Sequence, residues 1–154
     1  MAIAHTVKEF LEQSGVEYAV VPHPHSESSR QTAQVAHVPA DQLAKAVVLM
    51  DEVGYLMAVV PGDRHVGVET LSTKLGRKLE LAAESRLVPV FKDCDPGAIP
   101  PLGPAYGMQT VLDDRLVGLP QVYFEAGDHE DLVRVDGEQF IRLMKEAQHG
   151  QFSH

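Results

Sequence analysis

The sequence has no long apolar run: none of its 154 residues lies in a stretch approaching the roughly 18 apolar residues of a transmembrane helix. Charges interrupt its first segment, MAIAHTVKEFLEQSG, where a secretory signal needs an apolar core. Cysteine is almost absent, because Cys94 stands alone, which excludes an internal disulfide and every four-cysteine zinc site. Together these absences predict a cytoplasmic protein with no membrane partner.

An excess of basic residues is also missing. The formal net charge is -9, which argues against DNA or a general nucleic-acid coat as partner, since phosphates are bound by Lys and Arg. One local basic group occurs in STKLGRKLE, where Lys74, Arg77 and Lys78 lie close together. This group is either a solvated helix end, where cations are favoured, or a surface that contacts phosphates.

Motifs of covalent and nucleotide chemistry are absent as well. The sequence contains no Walker or Rossmann glycine pattern and no G-x-S-x-G nucleophile motif. Cys94 is flanked by Asp93 and Asp95, which disfavour a thiolate and make it a poor nucleophile. His23 and His25 are two residues apart, so an extended chain directs them differently, and no third ligand accompanies them. We therefore expect neither a metal nor an organic cofactor.

The secondary-structure pattern predicts one domain over residues 1–154, of the α/β class. With 44% hydrophobic residues the chain can bury a real core. The runs AKAVVLM and YLMAVVP predict a buried hairpin, and QVYFE and LVRV predict a second one. Helices are predicted near the N-terminus, after Ser28, from Val68 to Gly76 and after Asp136. Strands and helices interleave irregularly, so we expect a compact mixed β-sheet with surrounding helices, and a frayed tail at GQFSH.

Two features are candidates for chemistry. Lys45 begins the strongest strand, and it is either a surface lysine with its stem on apolar atoms or a fixed cation for a phosphate or developing negative charge. The segment DPGAIPPLGPAYG, residues 95–107, holds four prolines and three glycines. Prolines stiffen the backbone and glycines permit close approach, so its amides can line a pocket for an oxyanion. The alternative is an ordinary surface connection.

A late histidine is a weaker candidate. His129 lies in EAGDHED among Asp128, Glu130 and Asp131. Those carboxylates are expected to raise its pKa and to keep it solvated and partly charged.

Four segments, taken in their order along the chain, resemble the YbaK/EbsC family: LAKAVVL, LMAVVPGD, GAIPPLG and VYFEAGDHEDLVRV. These proteins are free-standing relatives of the editing domain of bacterial prolyl-tRNA synthetase. The resemblance extends from about Phe10 to Leu143. It implies a compact mixed α/β domain that hydrolyses wrongly charged tRNA and releases a small amino acid of the alanine or cysteine class.

The resemblance also implies roles for particular residues. The invariant lysine of the family corresponds to Lys45, its G-x-x-x-P loop to residues 97–101, and its late histidine to His129. On this correspondence Lys45, Gly97 and Ala98 would be catalytic, Ile99, Pro100, Pro101, Gly127 and His129 would bind the substrate, and Lys74, Arg77 and Lys78 would bind tRNA.

An aminoacyl ester is already activated, so its hydrolysis needs orientation and charge stabilisation more than a protein nucleophile. The resemblance implies that loop amides hold the carbonyl oxygen, that Lys45 holds the terminal phosphate or ribose, and that a substrate hydroxyl or water is the base. The partner would be a tRNA acceptor end, with an aminoacyl-tRNA synthetase as a second candidate. Two alternatives stay open: a non-catalytic module that binds aminoacyl-tRNA or a synthetase, and a hydrolase of another small acyl ester.

Overall fold

One mixed β-sheet with helices around it forms the computed structural model, which describes residues 3–154. Its strands are β1 (Ala19–Pro22), β2 (Leu43–Met50), β3 (Tyr55–Pro61), β4 (Glu80–Leu81), β5 (Gln109–Asp113), β6 (Gln121–Glu125), β7 (Asp131–Asp136) and β8 (Gln148–Gly150). The helices are α1 (His5–Gln13), α2 (Ser29–Ala36), α3 (Val68–Leu75), α4 (Glu84–Leu87) and α5 (Gly137–Leu143), with single 3₁₀ turns at Ala40–Gln42, Gly103–Tyr106 and Asp114–Leu116. The predicted mixed α/β architecture is confirmed. Residues 1 and 2, which the single-domain prediction includes, lie outside the described part.

The strand order is β1-β7-β6-β2-β3-β5-β8, with β4 also paired to β2. Both predicted hairpins are present, since β2 pairs antiparallel with β3 and β6 pairs antiparallel with β7. The pairs β2–β6, β3–β5 and β5–β8 are parallel. The central strands carry continuous apolar runs because both faces of the sheet are covered, and residues 56–60 of β3 are fully buried.

Helix ends follow the local signals in the sequence. The Ser28 hydroxyl accepts the amide of Gln31 and caps α2, and Gly76 ends α3 in the left-handed conformation. Asp136 occupies the N-cap position of α5, but its side chain makes no capping hydrogen bond.

In residues 3–154 no helix has both the length and the apolar character that crossing a bilayer requires.

The prediction of a frayed tail is wrong. Strand β8 pairs with β5, and Phe152 is buried. The amides of Phe152 and Ser153 donate to Oδ2 of the fully buried Asp113, at 3.1 and 2.9 Å. The tail is therefore held by a carboxylate about 40 residues earlier in the chain, a long-range contact that the polar pentapeptide does not reveal.

Candidate functional site

A cleft opens where the sheet divides beside β2. Strand β6 pairs with β2 only through Leu43 and Ala44, whereas β4 joins the same strand at Leu49 and Met50. The β2 edge between these two contacts is left open. The cleft there encloses about 450 Å³, including the part open to solvent. Its walls are residues 27–29 and Thr32 at α2, residues 43–46 of β2, Gly97 and Ile99 of the proline-rich loop, and Glu125 and His129 of the β6–β7 hairpin.

Lys45 lies in this cleft, partly buried, and makes no salt bridge with any described residue. Burial lowers the pKa of Lys45, the nearby Arg30 lowers it further, and Asp63 opposes both effects. Arg30 is an exposed residue of α2, so two cations lie near the same opening. A desolvated ammonium without a paired anion is a favourable place for an anionic group of a ligand.

The proline-rich loop presents fewer free amides than its sequence suggests. The Ala98 amide donates to the carbonyl oxygen of Asp95 at 3.0 Å, and Ala98 is fully buried. Gly97 has φ +81°, and among the described residues neither its amide nor that of Ile99 donates a hydrogen bond. The amides of Gly97 and Ile99 are therefore without a partner in the described residues, and both residues line the cleft, while the Ala98 amide closes the turn that contains Gly97.

The other predicted loop residues support the cleft from outside it. Pro100 and Pro101 are buried and do not line it. Gly127 has φ +109°, and its carbonyl oxygen accepts the Asp95 amide at 2.8 Å. A β-carbon at Gly127 would lie 3.2 Å from the Cys94 sulfur, so this position requires glycine. Gly127 thus joins the proline-rich loop to the β6–β7 hairpin.

His129 is brought into the cleft, but the prediction that it is solvated is wrong. It is only 5% exposed, with φ +62°. Its Nε2 lies 2.7 Å from the carbonyl oxygen of Pro96, and its amide donates to Oε1 of Glu125 at 3.1 Å. A carbonyl oxygen only accepts, so Nε2 carries a proton. The Asp128 carboxylate is occupied elsewhere, since its Oδ1 accepts the amides of Glu130 and Asp131.

Behind His129, two buried carboxyl groups share one environment. Among the described residues, Oδ2 of Asp128 and Oδ2 of Asp131 have no hydrogen-bond donor. Burial, together with the hydrogen bond and charge of Asp128, raises the pKa of Asp131 to about 6, against a smaller opposing effect of His23. A proton held between the two carboxyls satisfies both oxygens, so the pair titrates as a unit.

Replacing Asp131 with asparagine should make the protein more stable at neutral pH. The raised pKa means that the folded state binds a proton that the unfolded state has released, so the free energy of unfolding falls as pH rises from about 4 to 6. An amide donates to Asp128 at every pH and removes this decline. Thermal unfolding between pH 4 and 8 measures the effect. Asp136→Asn, an exposed change on the same strand, is the control, and a wild-type pH profile in the Asp131 variant would contradict the shared proton.

The predicted basic group lies elsewhere. Arg77 pairs with Asp51 through Nε–Oδ2 and Nη2–Oδ1 distances of 2.7 Å, and this contact holds the pKa of Asp51 well below its usual range. Asp51 follows the end of β2, six residues or about 20 Å along the strand from Lys45. Lys74 and Lys78 are exposed beside Arg77. The structure therefore does not bring these three cations to the cleft.

Sequence reasoning missed several cleft residues. Glu27 and Glu125 were not singled out, and Ser28 was identified only as a helix cap, which it is. Arg30, which lies near Lys45 but does not line the cleft, was not singled out either. Glu125 ends an apolar strand, an ordinary place for a charged residue. Only the divergence of β6 from β2 turns this position toward the cleft.

Cys94 has the inert character that its acidic neighbours predict. Burial raises the pKa of its thiol to about 12, and the Asp93 carboxylate adds to the effect. Its sulfur lies 3.3 Å from the hydroxyl of Tyr106. The thiol is protonated at neutral pH and is no nucleophile there.

Comparisons with known proteins show the fold and the family of this chain. Two solved structures share the fold. The hypothetical protein APE2540 has a TM-score of 0.84 and 18% sequence identity, and the match covers 97% of this chain and 100% of that one. A proposed trans-editing enzyme for prolyl tRNA synthetase has a TM-score of 0.83 and 23% identity, and the match covers 97% of this chain and 95% of that one. A proline–tRNA ligase of Thermosipho africanus (strain TCF52B) is 32% identical over 69 residues, which are 44% of this chain and only 12% of the ligase. Residues 23–143 match the family described as the aminoacyl-tRNA editing domain. The resemblance found in the sequence is thus confirmed, and the chain belongs to the aminoacyl-tRNA editing domain family.

Proposed function

We propose that this protein is a cytoplasmic trans-editing hydrolase that deacylates tRNA mischarged with a small amino acid, without a metal or organic cofactor. One observation carries the proposal: within residues 3–154, a lysine without a salt bridge and two loop residues whose amides donate no hydrogen bond line a single cleft, in a member of the aminoacyl-tRNA editing domain family. Lys45 supplies fixed positive charge, and Gly97 and Ile99 supply donors. This combination suits an ester whose carbonyl oxygen gains negative charge during hydrolysis.

The reaction needs no protein nucleophile. Water adds to the ester carbonyl carbon, and the oxygen that becomes negative accepts hydrogen bonds from the amides of Gly97 and Ile99. The carbon–oxygen bond to the ribose then breaks, and the ribose oxygen takes a proton that originates from the attacking water. A neighbouring ribose hydroxyl or a second water relays this proton. The products are the free amino acid and uncharged tRNA.

The acceptor end of the tRNA is held by the cations around the cleft. Lys45 and Arg30 lie near each other, and the first turn of α2 begins at Ser29 beside them, where helix amides favour an anion. These groups bind the terminal phosphate. Lys74 and Lys78 contact phosphates farther along the acceptor stem, while Arg77 stays in its pair with Asp51 and shapes that surface.

Fixed groups on the cleft wall favour a small amino acid. Leu43, Ala44, Ile99 and His129 line the cleft together. The ring of His129 is buried and held by the hydrogen bond from Nε2 to Pro96, while its backbone amide donates to Glu125. A larger side chain would have to displace this ring or the loop. Selection by size alone is modest, about 1–3 kcal/mol per methylene, so substrates are best compared by rate.

The test is release of labelled alanine, cysteine, serine and proline from charged tRNA by the purified protein. We expect rapid release of one small amino acid and slow release of proline from its cognate tRNA. If the protein binds charged tRNA or a synthetase but hydrolyses no ester, the proposal of a hydrolase is wrong and a binding module is favoured. A third possibility is a hydrolase of unrelated small esters. Charge reversal at Lys74 and Lys78 would not change the rate of such an enzyme, whereas it should slow the deacylation of tRNA.

A further inference from the structure

Glu125 is a cleft carboxylate that the proposed chemistry leaves unused. It ends β6 and lines the cleft, where it is partly buried. Its Oε1 accepts the His129 amide at 3.1 Å. Within residues 3–154, no side chain donates a hydrogen bond to Oε2 and no cation lies within salt-bridge distance, while the adjacent Ala126 amide adds to the stabilisation of the carboxylate. One oxygen of this carboxylate is therefore free to bind a group from the ligand.

The position of Glu125 relative to Lys45 follows from the strand register. In the parallel pair of β2 and β6, Leu43 is opposite Tyr123 and Ala44 is opposite Phe124. The next residues are Lys45 and Glu125, which line the same cleft but form no salt bridge with each other. The cleft thus has a cationic and an anionic side that do not neutralise one another.

The electrostatic environment makes an incoming cation favourable. Burial raises the pKa of Glu125, and the charges of His129 and His23 oppose this rise. A carboxylate in such surroundings has lost part of its hydration. A ligand cation that pairs with it restores this lost stabilisation, whereas a neutral ligand does not.

Gly97, His129 and Glu125 lie next to one another along the cleft. The Gly97 backbone lies close to the His129 ring, since a β-carbon added at Gly97 would be 3.6 Å from Cε1. The backbone of His129 is in turn bonded to Glu125. A ligand whose carbonyl oxygen binds the Gly97 amide therefore lies in the same cleft as Glu125, with His129 between the two residues.

We propose that Glu125 binds the α-ammonium group of the aminoacyl ester, so that the site selects esters of amino acids with a free amino group and rejects N-acylated ones. This inference rests on the proposed function. It adds a second selection that is independent of side-chain size. An editing enzyme with this property acts on newly charged tRNA and spares tRNA whose amino group is already acylated.

The test compares alanyl-tRNA with N-acetylalanyl-tRNA, or the same pair for whichever amino acid the release assay identifies. Glu125→Gln keeps a carbonyl oxygen for the His129 amide and removes only the charge. We expect wild type to prefer the free amine, and Glu125→Gln to lose roughly 10- to 100-fold in kcat/KM on that substrate alone. Glu130→Gln, in the same hairpin but outside the cleft lining, should behave as wild type.

Two results would overturn the inference: equal cleavage of both esters by wild type, or equal rates for Glu125→Gln and Glu130→Gln.

A binding measurement separates this inference from the proposed function. Its ligands are tRNAs carrying alanine or propionate through a hydrolysis-resistant 3′-amide. One outcome is that no ester is hydrolysed, but the alanyl ligand binds more tightly than the propionyl ligand, and only when Glu125 is intact. That outcome would support the ammonium site and contradict the proposed hydrolase activity. Hydrolysis with equal binding of both ligands would instead support the hydrolase and exclude the amine site.

Discussion

Replacing Lys45 with alanine is expected to lower kcat/KM for deacylation by about 100-fold or more, because the variant loses the cation that binds the terminal phosphate and so positions the ester for attack. The physical reason is the absence of any substitute among the described residues, because Arg30 is exposed on α2 and no other lysine lines the cleft. Stability should change little or improve, since the variant removes an ammonium whose pKa burial already lowers. Single-turnover release of the labelled amino acid, with thermal unfolding alongside, measures both.

Two further variants sharpen this result. Lys8→Ala removes an exposed lysine on α1, outside the cleft, and should leave the rate unchanged. Lys45→Arg keeps the charge with a different shape, and partial activity there would assign the role to charge rather than to one geometry. Full activity of Lys45→Ala would remove this residue from the site.

Replacing Gly97 with alanine should cost about 100-fold in activity and about 1–2 kcal/mol in the free energy of unfolding. Gly97 has φ +81°, which an L side chain rarely adopts. Its β-carbon would also lie 3.0 Å from Oε1 of Glu84 and 3.6 Å from the His129 ring. The exposed Glu84 side chain can turn aside and 3.6 Å is an ordinary contact, so the positive φ is the main cost. Relaxation of the backbone toward negative φ displaces the amides of Gly97 and Ile99 from the carbonyl oxygen.

Gly107 is the matched control. It lies in the same proline-rich segment with φ +65°, but a β-carbon there would meet no atom within 4 Å. Gly107→Ala should therefore cost about 1 kcal/mol of stability through the backbone alone and leave deacylation unchanged. Equal activity losses in the two variants would show that loop stability, rather than the position of the amides, controls the rate.

Much of the fold could be predicted because each of its main strands is indicated by residues that are adjacent in the sequence. The apolar runs of β2, β3, β6 and β7 are long enough to indicate buried strands, and glycine or acidic loops between them indicate hairpins. Capping by Ser28 and termination by Gly76 are equally local. The docked tail was missed because Asp113, which binds it, lies far away in sequence.

The candidate site divides in the same way. Lys45 and the proline-rich loop stand out by residue type, since a lysine before an apolar strand and a run of prolines and glycines are uncommon locally. Which loop amides are free depended on the hydrogen bond between Ala98 and Asp95, a turn geometry with several possible forms. The burial of His129 depended on Pro96, 33 residues away.

By itself, the sequence determined the strand and helix pattern, the stiff loop, the lack of a covalent nucleophile and the family resemblance, because each follows from residue type and spacing along the chain. The tertiary structure alone decided that Arg77 is engaged by Asp51, that Gly97 and Ile99 hold the free amides, and that Glu125 faces the cleft beside Lys45. The physical reason is that free donors, paired charges and buried carboxylates are defined by partners distant in sequence. Strand pairing brings those partners together, and no local pattern encodes the register of β2 against β6.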